Sequence, residues 1–244
     1  MKTLPGLSQE PYDLIEDQLN FYHENGYLVV DGLFTEQECD AMNKITRPLA
    51  DENFSAIHNI DRDIPEMRSV MKAPKIVSIL EKLQNSEVVG LMSQVLFKEV
   101  ESPYASQVWN PHQDNSYPQS PDGAYITINI ALENQDQENG CLYIYPGSHK
   151  DGIFACEPTI SYREDPNSNP GSTVEASILG RFESVKTNLE IKRGGTLFLH
   201  GNCIHGSYAN TSNRSRPLMS ISYLTKGAFF LVGKNANRKE ISLK

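Results

Sequence analysis

The chain has 244 residues, 39% hydrophobic and 22% charged, with a formal net charge of −9, which fits one soluble domain and disfavours nucleic acid or an anionic membrane as partner. No stretch reaches the about 20 apolar residues of a membrane span, and the first residues lack the apolar run of a signal peptide. The four cysteines form no CxxC pair, so reduced thiols in a cytoplasmic setting are expected.

Helical signals come first. Asp13 followed by Glu16 has the form of a capping box, and Leu14, Ile15, Leu19 and Tyr22 repeat at helical spacing up to Gly26. "GYLVVDGLF" reads as a short strand. Thr35 with Glu38 is a second capping box, opening a helix through Ala41, Met42 and Ile45. "PKIVSILEKLQ" carries Ile76, Ile79, Leu80 and Leu83 on one helical face, and all these stripes are expected to pack in the core.

From about residue 93 the period becomes two. Ile126, Ile128, Ile130 and Leu132 share one face of "AYITINIALE", with Thr127, Asn129 and Ala131 on the other. "CLYIYP", "GTLFLH" and "PLMSISYLT" are further strands, the last alternating Met219, Ile221 and Tyr223 against Ser220 and Ser222. Short strands separated by turn signals predict an antiparallel sandwich or barrel, and the polar faces suit the lining of an open-mouthed barrel. The expected organisation is one domain: a helical part over about 1–92, a β core over about 93–232, and a lid-like insertion over about 155–188.

In "NPHQDNSYP", His112 and Asp114 stand two residues apart and would point the same way from an extended strand. "LHGNCIHGS" supplies His205. Two histidines and a carboxylate form the open facial site of non-haem Fe(II) oxygenases, which leaves room for a cosubstrate and O2. Taken alone, such a tripeptide is by default an exposed or capping pair that arose by chance. His200, Cys203 and His205 could also be read as a zinc cluster, although strand direction is expected to split them.

Longer blocks add a resemblance. "FYHENGYLVVDGLFTEQECDAM", "WNPHQD", "ENGCLYIYPGSHK" and "RGGTLFLHGNCIHGSYANTSNRSRPLMSISY", in this order, resemble the phytanoyl-CoA dioxygenase family of Fe(II)/2-oxoglutarate enzymes. The resemblance implies a mainly β fold with flanking helices: a double-stranded β-helix, the cupin-type jelly roll. It also implies that His112, Asp114 and His205 hold Fe(II), and that Arg216, eleven residues beyond His205, binds the far carboxylate of 2-oxoglutarate. Ser207, Lys98 and Thr127 are further expected cosubstrate contacts. Asp114 favours hydroxylation, because halogenating relatives lack the carboxylate ligand.

Asn110, Ser116 and Tyr117 flank the metal motif and are candidate substrate contacts. Arg62 and Arg68, in "HNIDRDIPEMRS", are candidates for an anionic group. The expected activity is O2-dependent hydroxylation of a small polar or zwitterionic metabolite, with 2-oxoglutarate converted to succinate and CO2. The alternatives are an acyl-CoA hydroxylase, a cupin-type metalloprotein that does not use 2-oxoglutarate, and a metal-containing binding module. A small molecule is the expected partner, with neither nucleic acid nor membrane.

Overall fold

The computed structural model describes residues 2–54, 56–159, 171–233 and 236–244. In chain order it runs α1 (Glu16–Asn25), β1 (Tyr27–Val30), α2 (Glu36–Thr46), β2 (Ile57–His58), α3 (Ile60–Asp63), α4 (Pro65–Met71), α5 (Pro74–Gln84) and β3 (Val88–Lys98). Then follow β4 (Trp109–His112), β5 (Tyr125–Ala131), β6 (Leu142–Ile144), β7 (Cys156–Thr159) and β8 (Gly171–Val174). The last elements are α6 (Ala176–Leu179), β9 (Thr187–Leu189), β10 (Thr196–His200), β11 (His205–Ser207) and β12 (Arg216–Thr225).

The strands form a six-stranded sheet in the order β1-β10-β5-β12-β3-β2 and a four-stranded sheet in the order β4-β11-β6-β9, with β7 and β8 paired apart. All pairings are antiparallel, and from β3 to β6 and again from β9 to β12 consecutive strands alternate between the two main sheets, as in a jelly roll. β1 is the short strand expected within the helical part, and it pairs with β10, while β3 already starts at Val88. The helical part and the β core are therefore woven together rather than divided near residue 92.

Period-two alternation divides the large sheet into two chemistries. Ile126, Ile128 and Ile130 of β5, with Met219, Ile221 and Tyr223 of β12, face the helices and pack on Met67, Ile76, Ile79 and Leu80. The opposite face looks toward the small sheet. There Leu197, Leu199 and Leu218 meet Leu142, Ile144 and Leu189, closing one part of the interior. Elsewhere that face carries buried Lys98, Thr127, Asn129, Arg216, Ser220 and Ser222. The polar-lined chamber expected from sequence is this space.

Local signals explain most element ends. Thr35 and Glu38 form the expected reciprocal cap, the Glu38 backbone N–H donating to Thr35 Oγ1 at 3.2 Å and the Thr35 N–H to Glu38 Oε2 at 2.7 Å. Buried Glu38 also accepts from Lys75 Nζ at 2.8 Å, tying α2 to α5. The first cap lies two residues later than expected: Ile15 is the N-cap of α1, and Gln18 closes onto the Ile15 N–H at 3.2 Å. Asp13 instead stands in solvent near Lys82. Gly26 ends α1 at φ 79°, a left-handed C-cap that glycine reaches without a Cβ penalty.

The insertion over 155–188 includes the β7–β8 pair and α6, while residues 160–170 lie outside the described residues. β8 rests against β4, the Thr173 hydroxyl donating to the Pro111 carbonyl at 3.2 Å. Among the described residues no helix is long and apolar enough to cross a membrane.

Candidate metal centre

β4 and β11 are neighbours in the small sheet, and their register sets His112 directly opposite His205. The ladder ends at His112, but Gln113 stays extended at φ −116° and ψ 126°, so Asp114 still points to the side of His112 before a 3₁₀ turn begins. One ligand atom from each of His112, Asp114 and His205 lies within 4.8 Å of the others. Asp114 Oδ1 is 3.5 Å from His112 Nε2 and 3.7 Å from His205 Nε2.

The imidazoles are presented in a tautomer suited to a metal. His112 Nδ1 lies 2.7 Å from the Asn110 carbonyl, and His205 Nδ1 lies 3.1 Å from the Cys203 carbonyl. A carbonyl only accepts, so each Nδ1 carries a proton, and Nε2 is the ring nitrogen each histidine turns toward Asp114. Burial pushes the His205 pKa down to about 4, and it acts on His112 in the same direction, but the hydrogen bond and charge of Asp114 leave the His112 pKa raised. Burial alone would raise the Asp114 pKa, but the charges of His205 and then His112 hold it well below the usual carboxylate range. Thr127 also favours the carboxylate form without making a full hydrogen bond to it. An ionised carboxylate and two Nε2 atoms, that of His112 giving up any proton to the metal, make the donor set a divalent cation requires.

Gln113 points the opposite way and fixes this loop. Its amide donates to the Gly152 and Asn202 carbonyls at 2.7 and 2.6 Å and accepts from the Phe154 N–H at 2.8 Å. Asn115 adds bonds to Ser120 and to Asn202 Oδ1, the latter at 2.9 Å. Sequence reasoning missed both residues, whose partners lie on loops far along the chain. On the other side, Gly206 lets β11 lie close to its neighbours. A Cβ there would come within 2.4 Å of the Tyr143 hydroxyl and 2.5 Å of the Trp109 carbonyl.

Further along the same chamber stand two basic side chains. Arg216 of β12 pairs in register with Lys98 of β3. Arg216 is 2% exposed, and its Nε and Nη1 have no hydrogen-bond partner. Burial pulls the Arg216 pKa down to about 10. Burial, and then the charge of Arg216, pulls Lys98 down to about 6. Lys98 Nζ donates to Ser207 Oγ at 2.9 Å and also to the Tyr208 carbonyl. A buried guanidinium with vacant N–H groups is costly until an anion arrives, and its geometry matches a carboxylate.

The remaining sequence candidates fall into two groups. Asn110, Ser116 and Tyr117 lie beside the triad. The Asn110 side chain is exposed, the Ser116 hydroxyl donates to the Gln113 carbonyl at 2.7 Å, and the Tyr117 ring lies 6.5 Å from that of His112. Arg62 and Arg68 are not gathered with the triad. Arg68 donates to the Asp61 and Arg62 carbonyls at 3.0 and 3.1 Å, and Arg62 donates to the Asn237 carbonyl. His200 and Cys203 are separated from His205: His200 sits 4.9 Å from the His149 ring, and Cys203 is packed beneath Ser148.

Comparison with known proteins agrees with the fold. The model of the phytanoyl-CoA dioxygenase (PhyH) family matches residues 22–218. Phytanoyl-CoA dioxygenase domain-containing protein 1 of Danio rerio is 31% identical over 205 residues, covering 82% of this chain and 63% of that protein. The chain spans slightly less than two thirds of the curated relatives it matches first. Among solved structures, the epimerase SnoN in complex with Fe3+, α-ketoglutarate and nogalamycin RO superimposes with a TM-score of 0.71 at 22% identity, over 90% of this chain and 87% of that one. EvdO2 from Micromonospora carbonacea var. aurantiaca, complexed with 2-oxoglutarate, gives a TM-score of 0.74 at 13% identity, over 93% and 96%. At these identities the likeness establishes the shared jelly roll.

Proposed function

The chain belongs to the phytanoyl-CoA dioxygenase family, and we propose that it is an Fe(II)- and 2-oxoglutarate-dependent dioxygenase that hydroxylates a small polar or zwitterionic metabolite. The observation that carries the reading is Arg216: a fully buried guanidinium with unused N–H groups, facing the same chamber as the triad. A metal site without a keto-acid cosubstrate would leave that charge buried to no purpose.

In this reading His112, Asp114 and His205 would hold the iron beside the chamber that receives cosubstrate and substrate. When bound, the iron supplies the O2 chemistry that couples conversion of 2-oxoglutarate into succinate and CO2 to substrate hydroxylation. Arg216 clasps the distal carboxylate through paired N–H donors. Ser207, held by Lys98, and Thr127, beside Asp114, complete the polar wall along which the cosubstrate lies. The burial of these groups limits the water around the reacting atoms and strengthens each charge contact. The polar chamber and the acidic chain favour a small zwitterion over a CoA ester.

The test is an anaerobic titration of Fe(II) and then 2-oxoglutarate, following the visible charge-transfer band of the chelate. The wild type should give the band, Asp114→Ala should lose it together with tight metal binding, and Arg216→Ala should need about a hundredfold more 2-oxoglutarate. Iron binding without any band in the wild type would sink the 2-oxoglutarate reading.

A further inference from the structure

We infer that Arg238, beside Tyr125, forms a second anion-recognition point, on the opposite side of the triad from Arg216, which receives a carboxylate of the molecule being oxidised. The inference rests on the proposed function and names a feature of its substrate.

The register of β5 against β12 places the parts. Thr127, beside Asp114, is level with Ser222; Tyr125 is level with Leu224, farther from Arg216. Tyr125 projects from the same strand face as Thr127, and its hydroxyl donates to Ser222 Oγ at 2.7 Å. The chain after β12 then packs over this end: Ala228 and Phe230 join Leu91, Tyr125 and Leu224. Beyond Gly233 the tail returns, the Arg238 N–H bonding the Val232 carbonyl at 2.9 Å and the Lys239 N–H the Leu91 carbonyl at 3.2 Å.

This return buries Arg238 to 7% exposure. Its Nη1 reaches the Leu231 and Val232 carbonyls only at 3.3 and 3.5 Å, and its buried Nε has no acceptor. Among the described residues no carboxylate pairs with it. Burial raises the Tyr125 pKa, the charge of Asp114 raises it further, and Arg238 opposes both, so one phenol feels the metal-site carboxylate and the tail guanidinium together. A buried guanidinium with a vacant N–H offers its donors to a planar carboxylate, while the Tyr125 O–H stays committed to Ser222 beside it. Arg238 also lies beyond residues 22–218, the stretch matched by the family. A residue outside the shared framework suits selection of a particular substrate rather than the common chemistry.

The test uses protein loaded with Mn(II) and N-oxalylglycine, a non-reacting keto-acid mimic, so that Arg216 is already occupied. Acetate is titrated in, and relaxation of its methyl protons by Mn(II) is followed, with acetamide as the neutral control. Wild type should relax acetate saturably and leave acetamide unaffected. Arg238→Gln should bind acetate about tenfold more weakly and Arg238→Lys should keep part of the affinity, with N-oxalylglycine binding unchanged in both. Equal acetate relaxation in wild type and Arg238→Gln, or none in wild type, overturns the inference and leaves the proposed function standing. Loss of N-oxalylglycine binding in Arg238→Gln also overturns it, by placing the residue in the cosubstrate site or in the fold. Failure of N-oxalylglycine to bind the wild type removes both readings.

Discussion

The two faces of β5 and β12 are one residue apart in sequence and opposite in what they accomplish. On the helix side, Ile126, Ile128, Ile130, Met219 and Ile221 are fully buried among apolar neighbours, and nothing there awaits a ligand. On the chamber side, Arg216 has vacant donors, and Lys98 is driven toward its neutral form. One face stabilises the fold; the other holds charges in a state that the fold alone does not reward. A single strand can serve both because its period of two separates them completely.

The contrast can be broken from either side. Ile128→Ala should cost about 2–5 kcal/mol in urea unfolding, through lost burial and the cavity left behind, while 2-oxoglutarate affinity in the folded protein stays near wild type. Arg216→Ala should do the reverse, weakening the cosubstrate while leaving the unfolding midpoint of the ligand-free protein unchanged or higher. A large fall in stability would show that Arg216 is part of the scaffold. Gln113→Ala should lower metal affinity about ten- to a hundredfold by loosening the loop between the two ligands, with both histidines intact. Metal titration by calorimetry reads this directly, and unchanged affinity would reduce Gln113 to a packing residue.

The smallest effect sharpens the comparison through pH. Lys98 has a folded pKa near 6, against a usual 10.5. Between those values the unfolded chain binds the additional proton, so this residue makes ligand-free stability rise with pH and fall as pH drops toward 6. Lys98→Met should flatten that part of the profile in thermal melts taken across the window. An identical slope in both proteins would assign it to other groups.

The features legible in the sequence were those carried by local pattern. Alternation in "YITINIA" and "LMSISY" is enough to orient Thr127 and Ser222, and the Thr35–Glu38 spacing is enough to start α2. The spacing of His112 and Asp114 survives because Gln113 remains extended. Features made by long-range closure were not legible. The bonds of Gln113 depend on where residues 152–154 and 202 arrive, and the burial of Arg238 depends on a tail that returns to Leu91. Arg62 and Arg68 were singled out by charge alone, and charge does not reveal that nearby carbonyls occupy them. The Asp13 cap failed for a related reason: Leu14 is drawn into the core, so the helix begins only after it.

The cross-strand placement of Arg216 against Lys98 has a consequence for anyone who evolves or redesigns this scaffold. Screening variants by heat resistance alone would reward replacing either residue with an apolar one, since that removes a buried basic group that the fold alone does not stabilise. The survivors would be sturdier and inert. A library built on this chain needs a ligand-binding readout at every round, because the positions most easily improved for endurance are those on which its chemistry depends.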